Sequence, residues 1–364
     1  MDDTEAISLL TKLVAINSGT NNKAGVDAVG EIVSAHLAAL GFTEERFSHA
    51  TRGDMRHFTV PGARQKILLC GHMDTVFEPD SGFTDVRDDG EYIHGPGTFD
   101  MKGGLVVMLV ALSHVLKERG SLENVGVLLV PDEEQGSLAH HAAMEKIYSQ
   151  YEYGLVFEGC AEQYSIIDRR RGTGFFTLRA QGKSGHSGYY ANVYPNAISM
   201  LTQAVGAVLA LQDPTRGTTI NPGRIEGGTK GNIIAEQAHL ICDVRFWDRD
   251  EFARVRAGLE RIAQEHHLIL EMEDNFWPLE ESPRMTTLKG FVQRAAERLG
   301  QSVTYIKRGG ASDASVMAAC GVGVLDGWGV TGDGFHTIDE KMKKDSLATQ
   351  ATFTAETVLS VLKG

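Results

Sequence analysis

Cysteine is scarce in this chain. Cys70, Cys160, Cys242 and Cys320 lie roughly 80 to 90 positions apart, and none forms a Cys-x-x-Cys pair. That spacing excludes a thiolate metal site and a redox dithiol, and it predicts buried free thiols. Positive charge is in deficit as well: 35 lysines and arginines face 48 aspartates and glutamates, a net charge of −13. Nucleic acid and anionic membrane surfaces, which need a positive footprint, are excluded as partners. Long apolar runs are missing, since Leu105–Leu112 falls well short of the roughly 20 residues that span a bilayer. The opening Met1-Asp2-Asp3-Thr4-Glu5 is acidic and does not read as a secretory signal, so a soluble, cytoplasmic protein is expected. There is no internal repeat, no low-complexity tract and no nucleotide fingerprint. Gly95-Pro96-Gly97 lacks both the third glycine and the βαβ context.

What is present is an ordinary globular composition, 42% hydrophobic and 23% charged, which rules out a largely disordered chain. At 364 residues the chain is too long for one core and predicts two domains. In the first half, helical patterns alternate with short apolar runs at 58–60, 67–70, 125–130 and 155–157, and residues 101–116 have helical spacing. That alternation predicts an α/β fold, a sheet with helices on both faces. From Gly172 the rhythm changes to strand (174–181), helix (196–211), two strands (218–225 and 233–246), helix (252–262) and strand (268–272). This is the βαββαβ, ferredoxin-like order of an inserted domain. Pro278 and Pro283 mark the return. The expected division is 1–171 and 283–364 for the main domain, with 172–282 inserted.

Ligands of open α/β sheets sit at the carboxyl ends of strands, so chemistry is sought there. The run 67–70 leads into Gly71-His72-Met73-Asp74, where an imidazole and a carboxylate two apart can act as metal ligand and orienting partner. Asp100 stands at the start of a helix, either as a ligand or as its cap. Val127–Val130 is followed by Glu133-Glu134, two adjacent acids that can divide the roles of base and ligand, and the strand at 155–157 ends on Glu158. His336 lies in a glycine-flanked turn before the last helix. Two histidines and four carboxylates at successive strand ends, without thiolate, suit a hydrolytic zinc site. In residues 239–246, Leu240, Cys242, Val244 and Phe246 form an apolar face, so Arg245 points the other way with Asp243. Its guanidinium suits bidentate capture of a carboxylate, or an ordinary exposed salt bridge. His94, His140, His141, His266 and His267 have no motif around them and read as surface residues; Arg169-Arg170-Arg171 reads as a solvated hinge.

These motifs, ordered from His72 to His336, resemble the co-catalytic dizinc metallopeptidases: glutamate carboxypeptidase, aminoacylase, acetylornithine deacetylase, succinyl-diaminopimelate desuccinylase and peptidase T. The stretches His-Met-Asp-Thr-Val, Gly-Thr-Phe-Asp-Met-Lys-Gly-Gly and Glu-Glu-Gln-Gly-Ser are most similar to the carboxypeptidase G-type glutamate carboxypeptidases. The resemblance implies a zinc-peptidase catalytic domain with an inserted lid and dimerisation domain. It implies two Zn²⁺ per subunit, replaceable by Co²⁺ or Mn²⁺, with Asp100 shared, His72 and Glu158 on one ion, and Glu134 and His336 on the other. Asp74 would orient His72, and Glu133 would be the general base. In the inserted domain, His186 would act as an oxyanion partner and Asn232 would contact substrate. Gly310 and Ser312 belong to a glycine-rich segment whose main chain borders the pocket in relatives. The implied reaction is hydrolysis of an amide next to a free carboxylate, with release of a C-terminal amino acid from a small peptide. The alternatives are an N-acyl-amino-acid deacylase (deacetylase or desuccinylase) and a catalytically silent binding relative. A homodimer through the inserted domain, and closure of the two domains on substrate, are further expectations from the resemblance.

Overall fold

The computed structural model describes residues 1–60, 65–160, 162–273 and 276–364. Strands Ile67–His72, Val125–Val130 and Tyr153–Val156 are buried at every position, the pattern of strands covered on both faces. They run parallel, with Leu69 opposite Val127 on one side and Leu155 on the other. Gly323–Asp326 adds a further parallel neighbour to Tyr153–Val156. On the opposite flank Met55–Thr59 and Thr43–Phe47 are antiparallel. The eight-stranded mixed sheet has the spatial order 43–47, 55–59, 125–130, 67–72, 153–156, 323–326, 165–170, 304–308. The parallel strands bring His72, the segment after Val130 and Glu158 to one edge.

Helix Lys102–Arg119 begins at that edge. Residues 103–112 are buried on all sides, so the helix is a core element and not an amphipathic cover. It packs against Asp3–Val14 and Lys344–Lys363. Two glycines set how closely it approaches the site. A Cβ on Gly104 would stand 2.2 Å from the Phe157 carbonyl, and one on Gly103 would stand 2.4 Å from that of Thr98. Any side chain at either position would push the helix away from the Glu158 strand end or from the Asp100 loop.

The chain divides into two compact units. The first is Met1–Asp168 with Glu281–Lys307 and Ser312–Gly364; the second is Arg169–Glu280 with Arg308–Ala311. In the second, an antiparallel sheet has the order Thr219–Gly227, Gln237–Phe246, Gly172–Gln181, Ile269–Met272. Helices Ala197–Leu209 and Arg249–Glu265 supply side chains to the same core as its buried face, around Phe176, Leu178, Leu240, Val244 and Phe246. The strand expected from residue 233 starts at Gln237 instead, because Ile233 makes only an isolated bridge to His186. The arginine triplet is not a solvated hinge. Arg170 is buried and donates to the Gly310 carbonyl at 3.0 Å, Arg169 donates to the Trp247 carbonyl, and Arg171 lies over the Trp247 ring. Two of the heads thus meet main-chain carbonyls and the third an aromatic face. Cys70, Cys160 and Cys242 are buried, Cys320 is partly exposed, and all four are free thiols.

A second small sheet belongs to the first unit and has no counterpart in the sequence reading. Gly332–Asp333 and Lys341–Lys343 form a hairpin whose second strand pairs with Tyr92–His94, and Arg87–Asp88 completes it. The His336 turn is thereby fastened beside the strand that leads into the Asp100 loop. Among the described residues no helix is long and apolar enough to cross a membrane.

Candidate active site

His72 ends its strand with a fully buried ring. Its Nε2 stands 3.0 Å from Asp100 Oδ1 and 3.6 Å from Glu158 Oε1. On the far side Nδ1 meets the Asp74 main-chain carbonyl at 3.0 Å and the Asp74 carboxylate at 3.3 Å, which fixes the tautomer and leaves Nε2 facing the acids. Asp100 does not cap the following helix, whose capping position is Met101 with no side-chain bond. Its two oxygens diverge instead, Oδ1 to His72 and Oδ2 to His336 Nε2 at 3.2 Å. His336 also meets Glu134 Oε2 at 3.1 Å. Glu133 joins from the other side: one atom each of His72, Glu133 and Glu158 lie within 4.8 Å of one another, as do atoms of His72, Asp100 and Glu134. Residues scattered from 72 to 336 thus meet in one cluster in the first unit.

Asp74 does more than orient His72. Its carboxylate, wholly buried, accepts the main-chain N–H of Glu133 at 3.1 Å and of Glu134 at 3.2 Å, and the Thr20 hydroxyl at 2.7 Å. It therefore caps the short 3₁₀ turn Glu133–Gln135 from 59 residues away and aligns both glutamates with His72.

The electrostatics point one way. Burial opposes ionisation of Asp100, but bonds from His336 and His72 outweigh it and hold the carboxyl below its ordinary range. Bonds to Asp100 and Glu134 raise His336 to about 10; for His72 burial works downward, and Asp100 and Asp74 more than reverse it. Glu133 is pushed up by burial and then by the charge of Glu158, and Glu134 is raised mainly by burial. Glu134 Oε1 is buried with no hydrogen-bond partner among the described residues. The cluster is a sink for positive charge, built of imidazole and carboxylate, and that donor set fits divalent zinc, cobalt or manganese.

Several neighbouring residues have no role assigned from the sequence. Glu340 is buried and accepts three main-chain N–H groups of the Asp100 loop. Burial raises it to about 7. Lys102 is buried beside them, donates to the Ile16 carbonyl at 2.7 Å and is brought down to about 7 by burial. His140 is not a surface histidine: it is buried, with Nε2 3.1 Å from the Phe47 carbonyl and Nδ1 3.7 Å from Asp132. Its burial is a tertiary fact that the sequence does not display.

The other predicted residues are Ser312 in the first unit and Gly310, His186, Asn232 and Arg245 in the second. Ser312 is buried, and its hydroxyl is occupied by Asp326 at 2.7 Å and by the N–H of Ala314, whose helix it caps. In the second unit Gly310 receives Arg170, while His186 is exposed, accepts the Gly188 N–H and lies against the Tyr189 ring. The carbonyl of Asn232 accepts the Ser187 N–H. Arg245 is partly exposed and gives Nε to Asp243 at 2.9 Å. Among the described residues no other acid meets its guanidinium.

Comparison with known proteins follows the same line. The profile of peptidase family M20/M25/M40 matches residues 68–360. Carboxypeptidase G2 of Pseudomonas sp. strain RS-16 is 29% identical over 351 residues, covering 91% of this chain and 83% of its own length. A probable carboxypeptidase of Aspergillus terreus is 30% identical over 268 residues, 67% of this chain and 61% of that protein. Among solved structures, aminopeptidase PepT of Bacillus cereus superposes with a TM-score of 0.81 at 23% identity, covering 100% of this chain and 99% of the other. The metallo-carboxypeptidase Sso-CP2 of Sulfolobus solfataricus gives 0.77 at 17% identity, with full coverage of both chains.

Proposed function

Because the chain belongs to peptidase family M20/M25/M40, a family of metal-dependent hydrolases, we propose that it is a zinc carboxypeptidase. It cleaves the amide next to a free carboxylate and releases a C-terminal amino acid, glutamate foremost, from a small peptide. The observation that carries this reading is Asp100, whose two oxygens face two different histidines at 3.0 and 3.2 Å. Two Zn²⁺ are assigned to the cluster, one to His72 and Glu158, one to Glu134 and His336, with Asp100 shared. Bound there, the ions would acidify a water and polarise the scissile carbonyl.

The chain's own residues supply the rest. Asp74 holds His72 and the glutamate turn in register. Glu133 takes no part in the contacts of Asp100 with the two imidazoles. Its high proton affinity, set by burial and by Glu158, suits a group that accepts a proton from water and passes it to the leaving amine. In the second unit we assign Arg245 to the substrate's free carboxylate, His186 to the scissile carbonyl as it gains negative charge, and Asn232 to substrate contact. Gly310 and Ser312 are assigned to the pocket border through their main chain, since the Ser312 hydroxyl is already engaged.

A substrate panel on chelator-stripped protein reloaded with Zn²⁺, Co²⁺ or Mn²⁺ tests the assignment. Dipeptides ending in glutamate should be hydrolysed only after reloading, and the same peptides with an amidated C-terminus should be spared. Turnover confined to acetyl- or succinyl-amino acids would make the protein a deacylase. Silence on every substrate, with metal bound, would sink the proposal.

A further inference from the structure

His336 is held in an unusual way for a residue at the centre of a cluster. The turn 335–339 around it is exposed, His336 has φ +62°, in the left-handed region that side chains rarely adopt, and Gly334 before it has φ +74°. Within the turn the bonds are local: Thr337 N–H to the Gly334 carbonyl and Glu340 N–H to the Thr337 carbonyl. Nothing inside this loop would fix an imidazole to within the tolerance that a ligand needs.

At its base the exposure stops abruptly, at Glu340, which is 1% exposed. Burying a carboxylate is unfavourable unless its oxygens are met by donors. Here Oε1 accepts the N–H groups of Phe99 and Asp100, both at 2.9 Å, and Oε2 accepts that of Gly97 at 3.0 Å. The main chain of the same residue accepts the Gly95 N–H at 3.1 Å, where Lys341 pairs with His94. One residue thus joins the Gly95–Asp100 loop, by side chain and by backbone, to the turn that carries His336 four positions earlier.

Resting on the assignment of Asp100 and His336 to the metal site, we propose that Glu340 is a positioning residue for that site. It touches neither ion nor substrate. It converts two loops, separated by 236 positions, into one rigid unit, so that Asp100 and His336 are presented together. Three main-chain hydrogen bonds accepted by a single carboxyl group hold the loop main chain and aim Asp100 between the histidines. Neither the exposed turn nor the glycine-rich loop could be placed so by its own local bonds.

The variant Glu340→Gln keeps the volume but turns one acceptor oxygen into a donor, which must face an N–H. With chelator-stripped protein and Co²⁺ as the probe, its affinity, read by competition against a chromophoric chelator, should fall about 10- to 100-fold. The visible Co²⁺ absorption should change as Asp100 and His336 shift. Val358→Ala, in the fully buried face of the last helix, serves as a control for general loss of stability and should leave both readouts unchanged. Co²⁺ affinity within twofold of the parent with an identical spectrum overturns the proposal, and so does an equal loss in Val358→Ala. If Glu340→Gln does not fold, amide hydrogen exchange of the parent decides: the amides of 97–100 and 334–340 should open together, and independent opening overturns the clamp. A parent that binds no Co²⁺ at all would instead refute the metal-site assignment on which the clamp rests.

Discussion

Glu133 and Glu134 are adjacent, chemically identical and differently placed. Glu134 stands 3.1 Å from His336, while Glu133 faces Glu158 and His72. Burial raises both, and the like charge of Glu158 raises Glu133 further, a difference that fits the proposed roles of proton carrier for Glu133 and ligand for Glu134. Glu133→Gln is isosteric and should lower kcat by about 10² to 10⁴-fold while the protein keeps its metal content. Elemental analysis beside steady-state kinetics measures both. Full activity would remove Glu133 from the mechanism, and loss of metal would reassign it as a ligand. The same scale explains why the sequence is informative about chemistry: His72, Asp100, Glu133, Glu134, Glu158 and His336 each follow or border a strand or turn that periodicity reveals. Asp74 is legible only as a neighbour of His72, because its bonds to Glu133 and Glu134 cross from one strand end to the next.

Elements in the second unit are pinned by charge as well as by apolar packing. Helix Arg249–Glu265 is capped by Asp248, and in its first turn Glu251 is fully buried. Glu251 accepts bonds from Arg254, from the Thr218 hydroxyl at 2.7 Å and from Arg216, and so ties the helix to the segment that enters strand Thr219–Gly227. Arg254 foremost, against the opposing effect of burial, holds the Glu251 carboxyl at about 2, below its ordinary value of 4.5. A depressed carboxyl contributes stability that is complete above its unfolded value and lost as pH falls through the folded one. Glu251→Gln should therefore cost about 1 to 3 kcal/mol at pH 7, and the gap to the parent should close between about pH 4.5 and 2. Urea unfolding followed by fluorescence of Trp247 and Trp277, both in this unit, reads it out. A gap that stays constant down to pH 2.5 would mean that Glu251 acts by packing alone.

At the scale of the whole molecule, a chain of net charge −13 gathers the carboxylates of Asp100, Glu133, Glu134 and Glu158 around the imidazoles of His72 and His336 in the first unit. The second unit, by contrast, leaves apolar side chains outside: Ile198 and Leu209 on helix Ala197–Leu209, and Ile225 on the edge strand Thr219–Gly227. An edge strand presents unpaired main-chain groups to any second copy. We expect a homodimer through this unit, seen in sedimentation as a particle of twice the 39.6 kDa chain mass. Ile225→Asp should return it to a single chain, and a parent that sediments at 39.6 kDa at micromolar concentration would reject the interface.

Periodicity and strand-end chemistry, both local properties of the sequence, sufficed for an α/β sheet, the βαββαβ order of the second unit and six candidate acid and imidazole groups. They suffice because burial on a period of two or 3.6, and a polar residue after an apolar run, are written in consecutive residues. What required the folded chain were the partners: Asp74 capping a distant turn, Glu340 gathering three amides, His140 and Arg170 drawn inside, and the small sheet that fastens the His336 turn. Each depends on which main-chain donor or acceptor is left over once the sheet and helices have formed. That remainder is set by how distant segments come together, and no run of neighbouring residues records it.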